Sequence, residues 1–415
     1  MIRLQGLLGI VVILLLCWLF SENRRRVQWR PVLAGLGLQF ALAAVLLKIP
    51  LFRRLFLYLN RVVLAVDQAT REGTSFIFGF VGGGEAPYDI VNPGAGYILA
   101  FQSLPIILVI SALAALLFYW KILPVIVKAF SRVLERTMSV GGAEGLGVSA
   151  NIFIGMVEAP LLVRPYLRQM SRSELFSLMS CGMATIAGTV MVLYATLLDS
   201  VIPEVLGHIL TASLISAPAA ITISRLLIPN TGPVTAGELT AADEYRSPMD
   251  AITKGTVQGL ELVLNIIAMI IVLVSLVHLV NIILGLLPDA GGGPLTLQRL
   301  LGLLLAPLMW LLGIPWSEAV LAGSLMGTKT VLNELIAFVE MSRVAETALS
   351  PKSRIILMYA LCGFANPGSL GIMIGGIGPM VPERRSDIVS LGMRSIVAGT
   401  LATCLTGAIA GIFLD

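Results

Sequence analysis

The sequence CGMAT at residues 181–185 returns in the second half of the chain as CGFAN at residues 362–366. Each copy follows an acidic residue that lies in a long apolar stretch, Glu158 before the first and Glu334 before the second. A carboxylate at bilayer depth costs about 2.5–3.5 kcal/mol even on insertion scales, so such a residue is expected to have a functional task. An acid and a repeated motif in each half of an apolar chain are typical of secondary transporters built from internal repeats.

The composition is that of a membrane protein. Of the 415 residues, 57% are hydrophobic and only 13% are charged, whereas a soluble domain has about 25% charged residues. Apolar runs of about 20 residues, long enough to cross a bilayer, recur from end to end. Because no segment has the length and polarity of a soluble domain, we expect an all-α polytopic membrane protein without a separate catalytic unit.

The apolar pattern predicts eight transmembrane helices, two opposed re-entrant hairpins and interfacial helices. The expected spans are residues 4–20, 32–48, 97–120, 175–198, 205–227, 260–285, 353–379 and 386–413. Residues 145–170 and 316–341 are apolar at both ends with glycine, acid and small residues between, a pattern that predicts a hairpin. Residues 51–72 and 124–138 place basic residues opposite an apolar face, which indicates helices lying in the membrane interface.

The two halves of the chain repeat the same order of elements, a hairpin with a glutamate and then an interrupted helix. The interruptions are expected at TIAG (residues 185–188) and NPGS (residues 366–369), because glycine and proline weaken a helix. This order predicts an internal inverted repeat. We expect four regions: residues 1–120 with the first three spans, a first repeat in 121–228, a linker with one further helix in 229–315, and a second repeat in 316–415.

The first hairpin places Gly155 three residues before Glu158. In the functional interpretation, Gly155 lets a substrate approach the backbone while Glu158 faces a cavity. The alternative is that Glu158 forms a purely structural ion pair with Arg164 or Lys329. Both interpretations are open at the level of sequence.

Nearby oxygen atoms suit a small cation. Asn151 and Thr185 supply side-chain oxygens beside the backbone carbonyls of an interrupted helix. Unwound carbonyls and half-helix ends coordinate sodium ions or protons in transporters with broken helices.

The second hairpin and its interrupted helix offer Glu334, Asn366 and Ser369. Together they provide several hydrogen-bond acceptors and donors, which a polyhydroxylated ligand such as a ribose would use. Phe364 could supply a flat apolar wall, or it could be part of the core.

In combination and in this order, the motifs resemble the concentrative nucleoside transporter family over essentially the whole chain. The matching stretches are GTSFIFG (73–79), ANIF (150–153), EAP (158–160), ATIAG (184–188), KT (329–330), NE (333–334) and LCGFAN (361–366) with Ser369. The resemblance implies a homotrimer in which a scaffold half holds the trimer and a transport half moves across the membrane. It places residues 1–120 and the helix of 229–315 in the scaffold half and the two repeats in the transport half. It also implies sodium-coupled uptake of nucleosides, or proton-coupled uptake in some members.

The resemblance also implies roles for individual residues. By this resemblance, the ribose is bound by Glu334, Asn366 and Ser369, with Phe364 beside the sugar. The base is faced by Glu158 and Val190. Sodium is bound by the side chains of Asn151 and Thr185 and by the carbonyls of Ile154 and Ile186. Thr185 stands where a serine is common, and it keeps the hydroxyl.

One position departs from the family pattern. Between Gly155 and Glu158 the family usually has glutamine and a small hydroxyl residue that reach the base, but this chain has Met156 and Val157. A net hydrogen bond contributes about 0.5–1.5 kcal/mol, and leaving a buried polar edge unpaired costs about 1–3 kcal/mol. The loss of two contacts is therefore expected to weaken binding of an ordinary pyrimidine by roughly tenfold to a thousandfold.

From these observations we expect an ion-coupled symporter for nucleosides or nucleoside-like ribosyl compounds, with altered base recognition. Sodium is the expected coupling ion; the alternative is proton coupling, for a nucleoside or a related non-nucleoside solute. We expect membrane lipid and copies of the chain as partners, no nucleic acid, and a bacterial inner-membrane location. An enzyme is not expected, because the sequence offers no credible nucleophile, metal cluster or phosphate-binding loop.

Overall fold

The computed structural model describes residues 2–89, 96–199, 201–237, 245–288 and 293–414. Within these ranges the chain is built from α-helices joined by short turns. In chain order they are α1 (Ile2–Leu19), α2 (Trp29–Lys48), α3 (Pro50–Phe78), α4 (Leu99–Gln102), α5 (Ile106–Tyr119), α6 (Ile122–Met138), α7 (Gly142–Asn151), α8 (Glu158–Leu162), α9 (Arg164–Leu167), α10 (Arg172–Ala184), α11 (Gly188–Leu198), α12 (Val205–Leu227), α13 (Pro248–Leu284), α14 (Leu297–Leu311), α15 (Trp316–Val331), α16 (Glu334–Arg343), α17 (Pro351–Leu361), α18 (Pro367–Met380) and α19 (Arg385–Phe413).

Six helical stretches in the described residues are long and apolar enough to cross a bilayer. They are Trp29–Lys48, Leu99–Tyr119, Arg172–Leu198, Val205–Leu227, Pro248–Leu284 and Pro382–Phe413. The apolar part of α1, Leu4–Leu19, is shorter, and the expected span at residues 353–379 is divided into α17 and α18. The all-helical membrane fold is confirmed, whereas the number of eight spans stays a prediction.

Hairpin 1 is formed by α7, a turn at residues 152–157, and α8. Gly155 in this turn has φ +127°, a conformation that only glycine adopts readily. A Cβ atom at Gly155 would also lie 2.7 Å from Oε2 of Glu158. The positive φ therefore favours glycine at residue 155, and a side chain there would also push the Glu158 carboxylate aside.

Hairpin 2 is formed by α15 and α16, which are separated by only two residues. Asn333 caps α16, since its Oδ1 accepts a hydrogen bond of 2.9 Å from the backbone N–H of Ile336. Glu334 is the first residue of α16, just as Glu158 is the first residue of α8. Both carboxylates thus lie at the positive end of a helix dipole, where negative charge is stabilised.

Both predicted helix interruptions are present. The first lies between α10 and α11, where the N–H of Gly188 donates a hydrogen bond of 3.2 Å to the carbonyl of Phe153 in hairpin 1. A Cβ atom at Gly188 would approach that carbonyl oxygen to 2.6 Å. The second interruption, residues 362–366, separates α17 from α18 and overlaps the predicted stretch 366–369 only at Asn366. The predicted position was too late, because Pro367 begins α18 and proline is favoured in the first turn of a helix. Each repeat therefore brings a hairpin beside a broken helix, as the sequence predicts.

Helix α14 was not among the elements predicted from sequence. None of the expected spans covers residues 286–315, because the 15 residues of α14 are too few to give the signal of a full span. The helix bends by 119° into α15, and the two pack through glycines: a Cβ atom at Gly323 would lie 2.5 Å from the carbonyl oxygen of Gly302. The centre of the expected linker, residues 238–244, lies outside the described residues.

A buried ion pair fixes hairpin 1 to the neighbouring helices. Arg225 near the end of α12 contacts Oε2 of Glu144 in α7 at 2.6 Å, and both side chains are buried. Arg225 also donates a hydrogen bond of 3.1 Å to the hydroxyl of Ser173 in α10. Breaking a buried pair by removing one partner costs about 3–5 kcal/mol, so this contact keeps α7 in place relative to the first broken helix.

Candidate functional site

One cavity of about 350 Å³ lies where the hairpin turns, the broken helices and α13 meet. We call it the central cavity. All nine residues that the sequence predicts to bind substrate line it: Gly155, Met156, Val157, Glu158, Val190, Glu334, Phe364, Asn366 and Ser369. Residues from both halves of the chain, about 200 positions apart, are thus brought to one place.

Glu334 is the centre of a hydrogen-bond network in this cavity. The hydroxyl of Tyr194 donates to Oε1 of Glu334 at 2.6 Å, and Nδ2 of Asn366 donates to Oε2 at 3.2 Å. Glu334 is 4% exposed and Tyr194 is 2% exposed, so both side chains are buried in the protein. Each carboxylate oxygen has a second lone pair, and the network therefore still has room to accept two hydrogen bonds from a ligand.

Asn366 has two roles in this network. Besides its bond to Glu334, it caps α18, because its Oδ1 accepts a hydrogen bond of 2.8 Å from the N–H of Ser369. This cap holds Asn366 and Ser369 beside each other on the cavity wall. Phe364 precedes the cap, lines the cavity and packs partly against the core.

Glu158 lies at the other end of the central cavity. It also borders an adjoining pocket of about 90 Å³ that reaches Ser111 and Phe118 on α5. Among the described residues, Glu158 forms no ion pair with Arg164 or Lys329. Lys329 is instead buried, where it donates hydrogen bonds of 2.9 Å to the carbonyl of Ala360 and 3.1 Å to the hydroxyl of Thr403. The purely structural interpretation of Glu158 therefore finds no support in the described contacts.

Met156 and Val157 close the turn of hairpin 1 against two glycines. A Cβ atom at Gly182 of α10 would lie 2.9 Å from Cβ of Met156, and one at Gly376 of α18 would lie 2.7 Å from Cγ1 of Val157. Both side chains line the cavity and present only apolar atoms or a thioether to it. Hairpin 1 therefore meets the cavity through one carboxylate and an otherwise weakly polar turn.

The four predicted cation ligands lie around the first helix interruption. Nδ2 of Asn151 donates a hydrogen bond of 3.1 Å to the carbonyl of Gly147, and its buried Oδ1 has no hydrogen-bond partner among the described residues. The hydroxyl of Thr185 donates a hydrogen bond of 2.9 Å to the carbonyl of Cys181, which leaves its oxygen lone pairs available. Ile154 and Ile186 lie in the two unwound segments, which meet where the N–H of Gly188 donates to the carbonyl of Phe153. The unpaired buried Oδ1 of Asn151 and the hydroxyl oxygen of Thr185 are ligand types that suit a small alkali cation.

Several residues of the cavity were missed by the sequence interpretation. Tyr194 lies in an apolar helix and gives no signal there that separates it from a core tyrosine. Gln258, Glu261 and Asn265 on α13 also line the cavity. Their spacing of three and four residues, which puts them on one face of a helix, is a signal that was available in the sequence.

Two hairpins and two broken helices around one cavity with polar groups on its wall are the architecture of a secondary transporter. The comparisons with known proteins identify its kind. Residues 8–81 and 208–411 match the N-terminal and C-terminal parts of the Na+ dependent nucleoside transporter family, and residues 100–201 match the family described as nucleoside recognition.

Characterised and uncharacterised relatives cover nearly the whole chain. Nucleoside permease NupC of Helicobacter pylori is 34% identical over 99% of this chain and 98% of its own length. The uncharacterized transporter YutK of Bacillus subtilis is 38% identical over 99% of both chains. Solute carrier family 28 member 3 of Homo sapiens is 34% identical over 97% of this chain, which covers 59% of the human protein.

Solved structures agree with these sequence matches. The structure of CNTnw in an inward-facing substrate-bound state has a TM-score of 0.90 at 35% identity, over 100% of this chain and 98% of that chain. A variant of CNTnw in an outward-facing state has a TM-score of 0.92 at 35% identity over the same shares of both chains.

The chain belongs to the concentrative nucleoside transporter family. This is a family of transporters and not of enzymes. The protein is an integral membrane protein, and its bacterial relatives imply the inner membrane.

Proposed function

We propose that this protein is a sodium-coupled symporter that imports nucleosides or nucleoside-like ribosyl compounds by alternating access, with altered base recognition. The observation that supports it most is the central cavity, in which Glu334 is held by Tyr194 and Asn366. The proposed substrate class comes from the family, and the proposed change in base recognition comes from the altered turn of hairpin 1.

The ribose occupies the end of the cavity at Glu334. The carboxylate accepts hydrogen bonds from the sugar hydroxyls through its two remaining lone pairs, while the hydroxyl of Ser369 can donate and accept. Asn366 fixes the position of both groups. Phe364 lies beside the sugar as an apolar wall.

The base extends toward hairpin 1, where Glu158 and Val190 face it. Since Met156 and Val157 cannot form the hydrogen bonds that the usual polar pair would make, the site favours a purine, a modified base or another ribosyl compound over an ordinary pyrimidine. The conversion of Met156 and Val157 to glutamine and threonine tests this directly. It should strengthen uridine binding about tenfold or more; tight uridine binding by the wild type, unchanged by the conversion, would contradict it.

Sodium binds beside the turn of hairpin 1, at Asn151, Thr185 and the carbonyls of Ile154 and Ile186. The unpaired Oδ1 of Asn151 supports this site. Because hairpin 1 and the broken helix both contribute ligands, the ion would hold them together. The ion thus orders the turn that leads into Glu158, the first residue of α8. One sodium ion that crosses a potential of about 100 mV contributes about 2.3 kcal/mol to accumulation.

We further propose that the chain is a homotrimer in the membrane, with residues 1–120 and most of 229–315 as its scaffold. The exposed apolar face of α13, which includes Leu264, Ile271 and Val272, supports contact with neighbouring subunits or lipid. The segments 121–228 and 316–415 form the two transport repeats around the cavity. Native mass spectrometry from detergent should give a mass of three chains; a monomer at every protein concentration would contradict the trimer.

Uptake into proteoliposomes tests the proposed function. Labelled adenosine and uridine are supplied under an inward sodium gradient, an inward proton gradient or neither, with Glu334→Ala as the inactive control. The proposal predicts nucleoside uptake that the sodium gradient drives and that the control lacks. Uptake driven only by the proton gradient would show that the coupling ion is the proton and not sodium. No nucleoside uptake under either gradient would contradict the proposed substrate class.

A further inference from the structure

Helix α13 forms part of the wall of the central cavity. Gln258, Glu261 and Asn265 project into the cavity from this helix. They follow one another at intervals of three and four residues, so they form one stripe that extends about 10 Å along the helix axis. Beyond Asn265 the same stripe continues with the apolar residues Met269 and Leu273.

The packing of α13 against α5 determines which face of α13 lines the cavity. Two glycines on another face touch α5: a Cβ atom at Gly255 would lie 2.7 Å from the carbonyl oxygen of Ser111, and one at Gly259 would lie 2.9 Å from Cα of Leu108. Such close approaches leave no room for α13 to rotate. The polar stripe is therefore a built part of the cavity wall.

The cavity is acidic. Among the described residues that line it there are three carboxylates, Glu158, Glu261 and Glu334, and no lysine, arginine or histidine. An ionised carboxylate can only accept hydrogen bonds. If Glu334 binds the ribose, then Glu158 and Glu261 are left to face the base, and they require a base that presents N–H donors.

Space for a base is present at this end of the cavity. The adjoining pocket of about 90 Å³ shares Glu158, Gln258 and Leu262 with the central cavity. The turn of hairpin 1 offers no polar side chain of Met156 or Val157 here, whereas Gln258, Glu261 and Asn265 of α13 line the same cavity with amide and carboxylate groups. The polar groups that the hairpin lacks are thus available on α13.

We propose that α13 forms the base-reading half of the substrate site. In this proposal, which rests on the nucleoside transport proposed above, Glu261 accepts a hydrogen bond from the exocyclic amino group of the base, supported by the amides of Gln258 and Asn265. Adenine and cytosine present such an amino group, whereas a keto base presents a carbonyl oxygen at the same place. The transporter therefore prefers adenosine to inosine and cytidine to uridine.

The experiment compares these two matched pairs in competition for uptake into proteoliposomes. It uses the wild type, Glu261→Gln, and Glu346→Gln as the matched control, because Glu346 is an exposed glutamate outside the cavity. The wild type should prefer the amino-bearing member of each pair by about tenfold or more. Glu261→Gln, whose amide can also donate to a carbonyl, should lower both ratios to near one, and Glu346→Gln should leave them unchanged.

Three results would overturn the proposal. The first is equal uptake of both members of each pair by the wild type. The second is an uptake ratio in Glu261→Gln that stays within twofold of the wild-type ratio, and the third is an equal loss of uptake of all four nucleosides in Glu261→Gln. Glu261→Asp gives a second test, because it keeps the charge but shortens the side chain. It should keep the direction of both preferences at a reduced ratio, and a reversal would contradict the assignment. If the wild type takes up none of the four nucleosides, the proposed function itself fails. Uptake without base discrimination refutes only the role of Glu261.

Discussion

Removal of the Tyr194 hydroxyl should weaken substrate binding without disturbing the fold. Tyr194→Phe deletes the hydrogen bond of 2.6 Å to Oε1 of Glu334 but keeps the ring, whose centroid lies 5.1 Å from that of Phe338. A hydrogen bond to a charged group contributes about 1.5–3 kcal/mol. If that energy serves to orient Glu334 for the ribose, the Kd for a nucleoside should rise by about 10- to 150-fold.

The assay is equilibrium binding of a labelled nucleoside to the purified protein in sodium buffer. Tyr359→Phe is a matched control, since Tyr359 is also a buried tyrosine, with its hydroxyl 3.1 Å from Nδ1 of His208, but it does not line the central cavity. The control should lose stability and keep its Kd. A Kd within twofold of the wild type for Tyr194→Phe, or equal losses of affinity in both variants, would refute the role of Tyr194.

Three further predictions concern the ion site, the turn of hairpin 1 and the buried ion pair. Asn151→Leu replaces the unpaired Oδ1 by a methyl group in a side chain of the same branched shape, so the sodium concentration for half-maximal uptake should rise at least about tenfold; an unchanged sodium dependence in uptake assays would exclude Asn151 as a ligand. Gly155→Ala places a methyl group 2.7 Å from Oε2 of Glu158 at φ +127°, and uptake should fall below a tenth of the wild-type rate while the protein stays folded; normal uptake would contradict the preference for glycine. Glu144→Gln leaves the charge of Arg225 unpaired in the interior and should cost about 3–5 kcal/mol, visible as a lower melting temperature in detergent, whereas an unchanged melting temperature would show that the pair is not required.

The repeated motifs were the part of the fold most accessible from the sequence. Glycine, proline and an acid interrupt the apolar pattern at the hairpins and at both broken helices. The structure has the hairpins and the first break where they were predicted, whereas the second break ends at Asn366 instead of beginning there. Helix α14 was not predicted, because its 15 residues are fewer than a bilayer-spanning helix requires.

The predicted substrate residues lie only on the two predicted transport repeats. Five of the nine lie in the motifs that match the family, and four lie beside those motifs: Gly155, Met156, Val157 and Val190. The structure gathers all nine around one cavity. Tyr194 and Glu261 lie outside those motifs. Their places in the cavity depend on how α11 packs against hairpin 2 and how α13 packs on α5. Tyr194 gives no local signal in the sequence. The spacing of Gln258, Glu261 and Asn265 shows that they share one helix face, but not that this face lines the cavity.

Whether Glu334 binds the ribose is tested most directly by an experiment that changes both the sugar of the ligand and the side chain of the protein. Binding of adenosine, 2′-deoxyadenosine and 3′-deoxyadenosine is measured on the wild type and on Glu334→Gln. If Glu334 accepts hydrogen bonds from the sugar, at least one deoxynucleoside should bind the wild type about tenfold or more weakly than adenosine, and Glu334→Gln should largely abolish that difference. A deoxy penalty of the same size in both proteins would show that Glu334 does not contact the ribose, and it would contradict the site proposed here.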